Sequence, residues 1–226
     1  MLRTIELYFL LFFTYSVLGW VMEVTKTLIE KRKFVNRGFL IGPYCPIYGY
    51  GVILLTLLLK KYQGDIPATF IFSILICGTL EYFTSYFMEK IFHARWWDYS
   101  QRKFNINGRI CLETLLPFGI MGCLILYIVN PAFLNFFNKI PSIALHIICG
   151  ILFAIYISDN TISGKIISNL KEISVNVKDN TEEISKKVKK TITQKSGLHR
   201  RLVEAFPAIK SKVNLKEWIT KVEKSL

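Results

Sequence analysis

Three carboxylates stand inside or at the edge of long apolar runs: Glu23, Glu81 and Glu113. Burying a charge at the centre of a bilayer costs about 2.5 to 3.5 kcal/mol on insertion scales, so such residues face the protein interior and find partners there. Arg37 and Arg109 flank the same runs and could supply the opposite charge. Arg109 and Glu113 are four residues apart, hence on one helix face if that helix starts early enough. Pro117 follows Glu113 by four, which removes the hydrogen bond to the Glu113 carbonyl and leaves a backbone acceptor beside a carboxylate. Each residue taken singly reads as a structural ion pair or a kinked helix. Taken together, the three glutamates point to a polar pocket for a cation, a proton or a polar ligand.

Two connections between the apolar runs share that polarity. Phe34-Val35-Asn36-Arg37-Gly38-Phe39-Leu40-Ile41-Gly42-Pro43 mixes apolar, glycine and charged residues in a way a loose loop does not. Trp96-Trp97-Asp98-Tyr99-Ser100 and Asn105-Ile106-Asn107-Gly108-Arg109 make up the other. Aromatic residues beside a span belong to the interfacial belt, but adjacent tryptophans followed by Asp, Tyr and Ser are more specific than a belt requires. With Arg37 and Arg109 they could line a mouth for an anionic headgroup or a polar substrate. The candidate binding residues are Glu23, Asn36, Arg37, Tyr48, Glu81, Trp97, Asp98, Asn105, Arg109 and Glu113. The string Tyr48-Gly49-Tyr50-Gly51 shares Gly-Tyr-Gly with potassium filters, but lacks the preceding Thr-Val and a pore helix. No phosphate-binding Gly-Lys-Ser/Thr loop, His-Glu-x-x-His or serine elbow is found. His93, His146 and His199 are scattered. The residues therefore name no catalytic motif, no metal and no cofactor, and any ATPase has to come from another chain.

The elements that must position these side chains are membrane spans. Of 226 residues, 52% are hydrophobic and 14% aromatic, with a mean hydropathy of +0.36. They cluster into blocks of about 18 or more, the length that crosses a hydrocarbon core about 30 Å thick. The expected fold is an all-α integral membrane protein, a bundle of about five transmembrane helices with a basic helical C-terminal tail. The spans are expected near Ile5–Met22, Tyr44–Leu59, Ala68–Phe87, Ile110–Phe133 and Ile140–Ile157. The second is short and rich in glycine and proline: a full span, or a broken helix that survives only if its backbone is buried in protein. The first run, with Glu6 inside it and no small-residue cleavage site, reads as a retained helix rather than a signal peptide.

The net charge of +13 lies beside the spans and in the tail, so it reads as topology and affinity for anionic lipid, not as a nucleic-acid surface. Basic residues crowd the connections after spans one and three and the tail, which places those segments in the cytoplasm and the N-terminus outside the cell membrane. Cys45, Cys77, Cys111, Cys123 and Cys149 have no metal spacing and imply no disulfide framework. Residues 1–160 are expected to form the membrane domain and 161–226 the cytoplasmic tail. In the tail, Ile166, Leu170, Ile173, Val177 and Ile184 recur at helical spacing, as a continuation of span five or a short coiled coil. Asn180 with Glu183 and Asn214 with Glu217 resemble capping boxes, Gly197 ends the first helix, and Trp218 sits on an apolar face of the last.

Gly19-Trp20-x-x-Glu23, Asn36-Arg37-Gly38-x-Leu40-x-Gly42-Pro43, Pro46-Ile47-Tyr48-Gly49, Glu81-Tyr82, Trp96-Trp97-Asp98-Tyr99-Ser100 and Asn107-Gly108-Arg109-Ile110-Cys111-Leu112 together resemble the putative ABC-transporter type IV family. Its bacterial multipass members are also labelled CmpB-type permeases. The resemblance covers about Phe9 to Phe153 and departs at Pro117-Phe118-Gly119, where many members have tryptophan before the glycine. It implies a membrane domain and a transport role. Three functions stay open at this point. The first is a permease or transport-associated subunit with a separate ATP-binding subunit, and a second copy of the chain as a further partner. The second is a membrane enzyme acting on a lipid or isoprenoid headgroup at the inner leaflet. The third is a non-catalytic scaffold or regulator.

Overall fold

In a computed structural model, residues 1–32, 34–36, 38, 40–92 and 97–175 are described, with the backbone alone at 31, 92 and 166–175. The apolar runs become helices α1 (Leu2–Lys31), α2 (Pro46–Leu58), α3 (Ile66–Phe92), α4 (Leu112–Leu124), α5 (Asn130–Asn138) and α6 (Ser142–Val175). Strands β1 (Asn105–Ile106) and β2 (Ile110–Cys111) form an antiparallel hairpin before α4. Among the described residues, four stretches are long and apolar enough to cross a membrane: Leu2–Glu30, Ile66–Ile91, Leu112–Asn138 and Ser142–Lys165.

The third of these is one rod in three parts, with the π-helical segment Ile125–Val129 between α4 and α5. Pro131 explains the segment. It has no N–H to donate and its ring crowds the carbonyl four residues back, so the turn before it widens. The Asn130 N–H then reaches the Ile125 carbonyl, five residues away.

α2 holds 13 residues, about 20 Å of helix against a core about 30 Å thick. The missing length is supplied by an irregular segment, Leu40–Cys45, in which Leu40, Tyr44 and Cys45 are buried. Buried irregular backbone needs partners for its polar groups. Ile41 and Gly42 donate their N–H groups to the Asp159 carboxylate at 2.9 and 2.7 Å, and Cys45 donates to the Ser16 carbonyl at 2.7 Å. The second apolar block is thus a shortened helix with a buried, non-helical entry. Tyr48-Gly49-Tyr50-Gly51 lies within α2, where the helix engages its carbonyls and leaves no row of them for a filter.

One correction concerns the start of the fourth span. Ile110 and Cys111 are strand, and the helix begins at Leu112. Asn107 and Gly108 take φ of 53° and 65°, and the Arg109 N–H bonds the Ile106 carbonyl at 3.0 Å. The Asn-Gly pair thus makes the positive-φ turn of a three-residue loop, Asn107, Gly108 and Arg109, between the paired Ile106 and Ile110. Arg109 therefore lies in the hairpin and not on one helix face with Glu113.

In a bilayer, apolar burial does not distinguish protein from lipid, so helices join through close packing at small residues and through interhelical hydrogen bonds. Gly49 presses against the Phe12 carbonyl and Ser16 hydroxyl of α1, Gly19 lies under the Tyr48 ring, and Gly122 of α4 meets Ser73 of α3. Tyr15 donates to Asn130 Oδ1 at 2.7 Å, and Asn130 Nδ2 donates to Thr56 at 2.8 Å. That chain links α1, α5 and α2 within a core that includes Leu11, Val52 and Leu145. At one end of the bundle Arg3 caps the α5–α6 junction through Ser142 and the Asn138 and Ile140 carbonyls. The candidate residues gather at the other end. α6 runs without a break through residue 160 and on through Ile166, Leu170 and Ile173 to Val175. Val177, Ile184, both capping boxes, Gly197 and the Trp218 helix lie outside the described residues.

Candidate functional site

Two acid–phenol pairs face each other at the end of the bundle away from Met1. The first joins α1 to α2. Gly19 has no side chain, so the Tyr48 ring lies directly against α1, and its hydroxyl donates to Glu23 Oε1 at 2.7 Å one helical turn further on. Asn36 braces the connection that follows. Its Oδ1 accepts from Trp20 Nε1 (2.6 Å) and from the Gly38 N–H (3.0 Å), and its Nδ2 donates to the Ile41 carbonyl (3.1 Å). Arg37 and Trp96 lie outside the described residues.

The second pair joins α3 to the connection before α4. Tyr99 donates to Glu81 Oε1 at 3.2 Å, while Glu81 Oε2 is buried with no hydrogen-bond partner. The Thr114 hydroxyl lies beside Glu81, but directs its proton to the Cys111 carbonyl at 2.9 Å. Burial, and then the Glu81 charge, push the Tyr99 phenol above the usual tyrosine range. Glu23 is within electrostatic range of both Glu81 and Tyr99, and Tyr48 of Tyr99. The two pairs therefore form one polar cluster, the chamber of the proposal that follows.

The other candidates shape this end without converging on the chamber. Arg109 is 9% exposed. It forms an ion pair with Glu89 at 2.7 Å, donates to Ser85 at 3.3 Å, and lies over the Tyr82 and Tyr86 rings at 5.7 and 5.4 Å. Glu113, expected as its partner, instead pairs with Arg102 at 3.0 Å, both side chains more than half exposed. The reason is the hairpin, which carries Arg109 back onto α3. Trp97 donates to the Arg109 carbonyl at 3.0 Å. Asp98 accepts from the N–H and hydroxyl of Ser100. Asn105 donates to the Arg102 carbonyl (2.7 Å) and accepts from the Gly108 N–H (2.9 Å). Pro117 sits inside α4.

Two residues of this end were absent from the candidates. Tyr99 stood in a quoted motif but is picked out only by its reach to Glu81. Asp159 is 8% exposed and accepts from Ile41 and Gly42, from the Tyr44 hydroxyl at 2.5 Å and from Ser163 at 2.8 Å. An acid late in an apolar run is the same signal that singled out the glutamates; at Asp159 the polar, charged composition that follows masks it. Among the described residues, no group of three His, Cys, Asp or Glu side chains is placed to hold a metal ion.

A family model described as "Putative ABC-transporter type IV" matches residues 10–164. That range includes both acid–phenol pairs, the hairpin and Asp159. No curated protein and no solved structure matches the chain.

Proposed function

The chain belongs to the putative ABC-transporter type IV family, and from that premise we propose that it is a permease or transport-associated subunit whose chamber takes a cation or a proton-donating ligand from the cytoplasmic side. The observation that carries this reading is the second oxygen of Glu81, buried and without a donor. A buried carboxylate oxygen left bare is costly. A ligand bearing an N–H, an O–H or a positive charge would supply what the protein does not. Tyr48 and Tyr99 hold the other carboxylate oxygens in place and present phenol oxygens of their own. The excess of basic residues at this end supports a cytoplasmic mouth. ATP would be hydrolysed by a separate subunit, and the basic stretch 161–226, after a membrane domain of residues 1–160, is the arm on which it would dock.

The test is purification from native membranes in mild detergent, followed by mass spectrometry of co-purified proteins and small molecules. We expect a stoichiometric ATP-binding subunit that is released when 176–226 is deleted, and a bound small molecule that is lost in Glu81→Gln. A protein that purifies alone, with the same molecules bound before and after Glu81→Gln, would sink the proposal. One observation favours a second reading, a non-catalytic scaffold: Asn36, Trp97, Asp98, Asn105 and Arg109 all hold local structure together. Under that reading Glu81→Gln lowers the folded yield and changes no ligand.

A further inference from the structure

Asp159 belongs to neither acid–phenol pair, yet it accepts from four donors, Ile41, Gly42, Tyr44 and Ser163. Three of those four come from one stretch of chain, Leu40–Cys45, which has no helix or strand of its own. Other ties of that strap to its surroundings include the Asn36 amide on the Ile41 carbonyl at 3.1 Å, the Cys45 N–H on the Ser16 carbonyl and the Tyr44 ring against Phe13 and Tyr156, at 5.2 and 6.1 Å. The strap then runs without a spacer into the first turn of α2, where the Tyr48 N–H bonds the Cys45 carbonyl at 3.1 Å. Tyr48 is the residue that reaches Glu23.

We propose that Asp159 is a positioning residue, a latch on α6 that holds the strap Leu40–Cys45 and through it sets Tyr48 against Glu23. The chemistry suits a latch. A carboxylate only accepts, and all four groups turned toward it donate; asparagine there would set an N–H₂ against one of them. Charge-assisted bonds of this kind are about twice as strong as neutral ones, and the strap's backbone at this depth has no water to turn to. α6 continues past Asp159 to Val175, about 24 Å of helix. A displacement of that extension is therefore carried by Asp159 to the strap and on to the α2 side of the chamber, while the Glu81–Tyr99 side, built on α3, stays where it is. This inference rests on reading the chamber as the functional site, but its test does not require that any ligand be known.

Cys45 reports on the strap from within it. It is 8% exposed, as is Cys149 on the far side of the bundle, and Cys111 is 1% exposed. The full-length protein in its membrane is treated with N-ethylmaleimide, and modification of each cysteine is followed by peptide mass spectrometry. A fluorotyrosine at position 48 reports the chamber by fluorine NMR. Asp159→Asn is expected to speed Cys45 modification about tenfold or more, since labelling follows the open fraction, with Cys111 and Cys149 unchanged and the Tyr48 resonance shifted. Tyr44→Phe, which removes one donor of the four, gives a smaller rise at Cys45 alone and serves if Asp159→Asn does not fold. Equal acceleration at all three cysteines would show that Asp159 holds the whole bundle, and would overturn the proposal. So would an unchanged Cys45, or an opened Cys45 with an unmoved Tyr48 resonance. Loss of ligand binding in Glu81→Gln bears on the chamber alone, so the two readings fail separately.

Discussion

A carboxylate below the membrane interface is stable to the extent that donors surround it, and the acids of this chain differ in that respect. Asp159 has four donors; Glu81 has the Tyr99 phenol and a bare second oxygen. The two should answer isosteric substitution differently. Glu81→Gln gives up one weak bond and a costly bare oxygen, so thermal unfolding in detergent should shift by less than about 1 kcal/mol; Asp159→Asn should cost about 2 to 3 kcal/mol. Comparable losses in both would remove the case for Glu81 as a binding group. Tyr99 lends itself to a pH test. Its phenol is raised by burial and by Glu81, so the stability it contributes is fully present below the ordinary tyrosine value of about 10 and is lost as pH rises beyond it. Tyr99→Phe should therefore unfold with less alkaline sensitivity than the parent between about pH 9 and 11; identical alkaline profiles would count against a buried, neutral Tyr99. Glu23 and Glu81 were legible in the sequence because an acid in an apolar run has few explanations. The partner of Arg109 was not, because spacing four along the chain means one face only if both residues are helical, and the hairpin sends Arg109 to Glu89.

At the scale of elements, what holds this bundle together is close approach at a few glycines, and those glycines are not equivalent. A methyl group at Gly49 would meet the Phe12 carbonyl and the Ser16 hydroxyl, while one at Gly150 meets nothing within 4 Å. Gly49→Ala should therefore push α1 and α2 apart and cost about 1 to 3 kcal/mol, whereas Gly150→Ala should be neutral or stabilise by up to about 1 kcal/mol through helix propensity. Melting temperatures of the two variants in one detergent decide it, and equal effects would refute the packing account. Gly108 makes a parallel case in the hairpin. With φ at 65°, Gly108→Ala should cost about 1 kcal/mol and loosen Tyr99, whose N–H bonds the Gly108 carbonyl at 2.8 Å. The long helices were legible from the length of their apolar runs alone. The hairpin also had a signal, Asn107-Gly108, but a two-residue strand on either side is too short to show alternation. The buried strap had a signal in its glycines and prolines, but its partner had none, because the amides are satisfied by Asp159, a residue more than a hundred positions away in sequence.

For the molecule as a whole, the question that follows from these parts is which way it faces. The bundle has two unlike ends. One carries Arg3, the α2–α3 connection with Lys60 and Lys61, and Lys139 at the α5–α6 junction; the other carries Lys26, Arg32, Lys90, Arg102, Lys103 and Arg109 with both acid–phenol pairs. Basic residues in short connections are retained on the cytoplasmic side, and on that ground the proposed function has the chamber face the cytoplasm and any ATP-binding subunit. The same assignment requires α2, with its buried strap, to count as a crossing, since otherwise α3 would begin on the side where it is meant to end. Gln63, between α2 and α3, and Gln101, between α3 and β1, are both exposed and report the two ends. In intact cells, a membrane-impermeant maleimide should label Gln63→Cys and leave Gln101→Cys untouched until the membrane is permeabilised, against the unsubstituted chain as background. The reverse pattern would turn the chamber outward and separate it from a cytoplasmic ATPase, ending the transport reading in its present form. Labelling of both positions from outside would mean that α3 does not cross, and the five-crossing bundle itself would have to be abandoned.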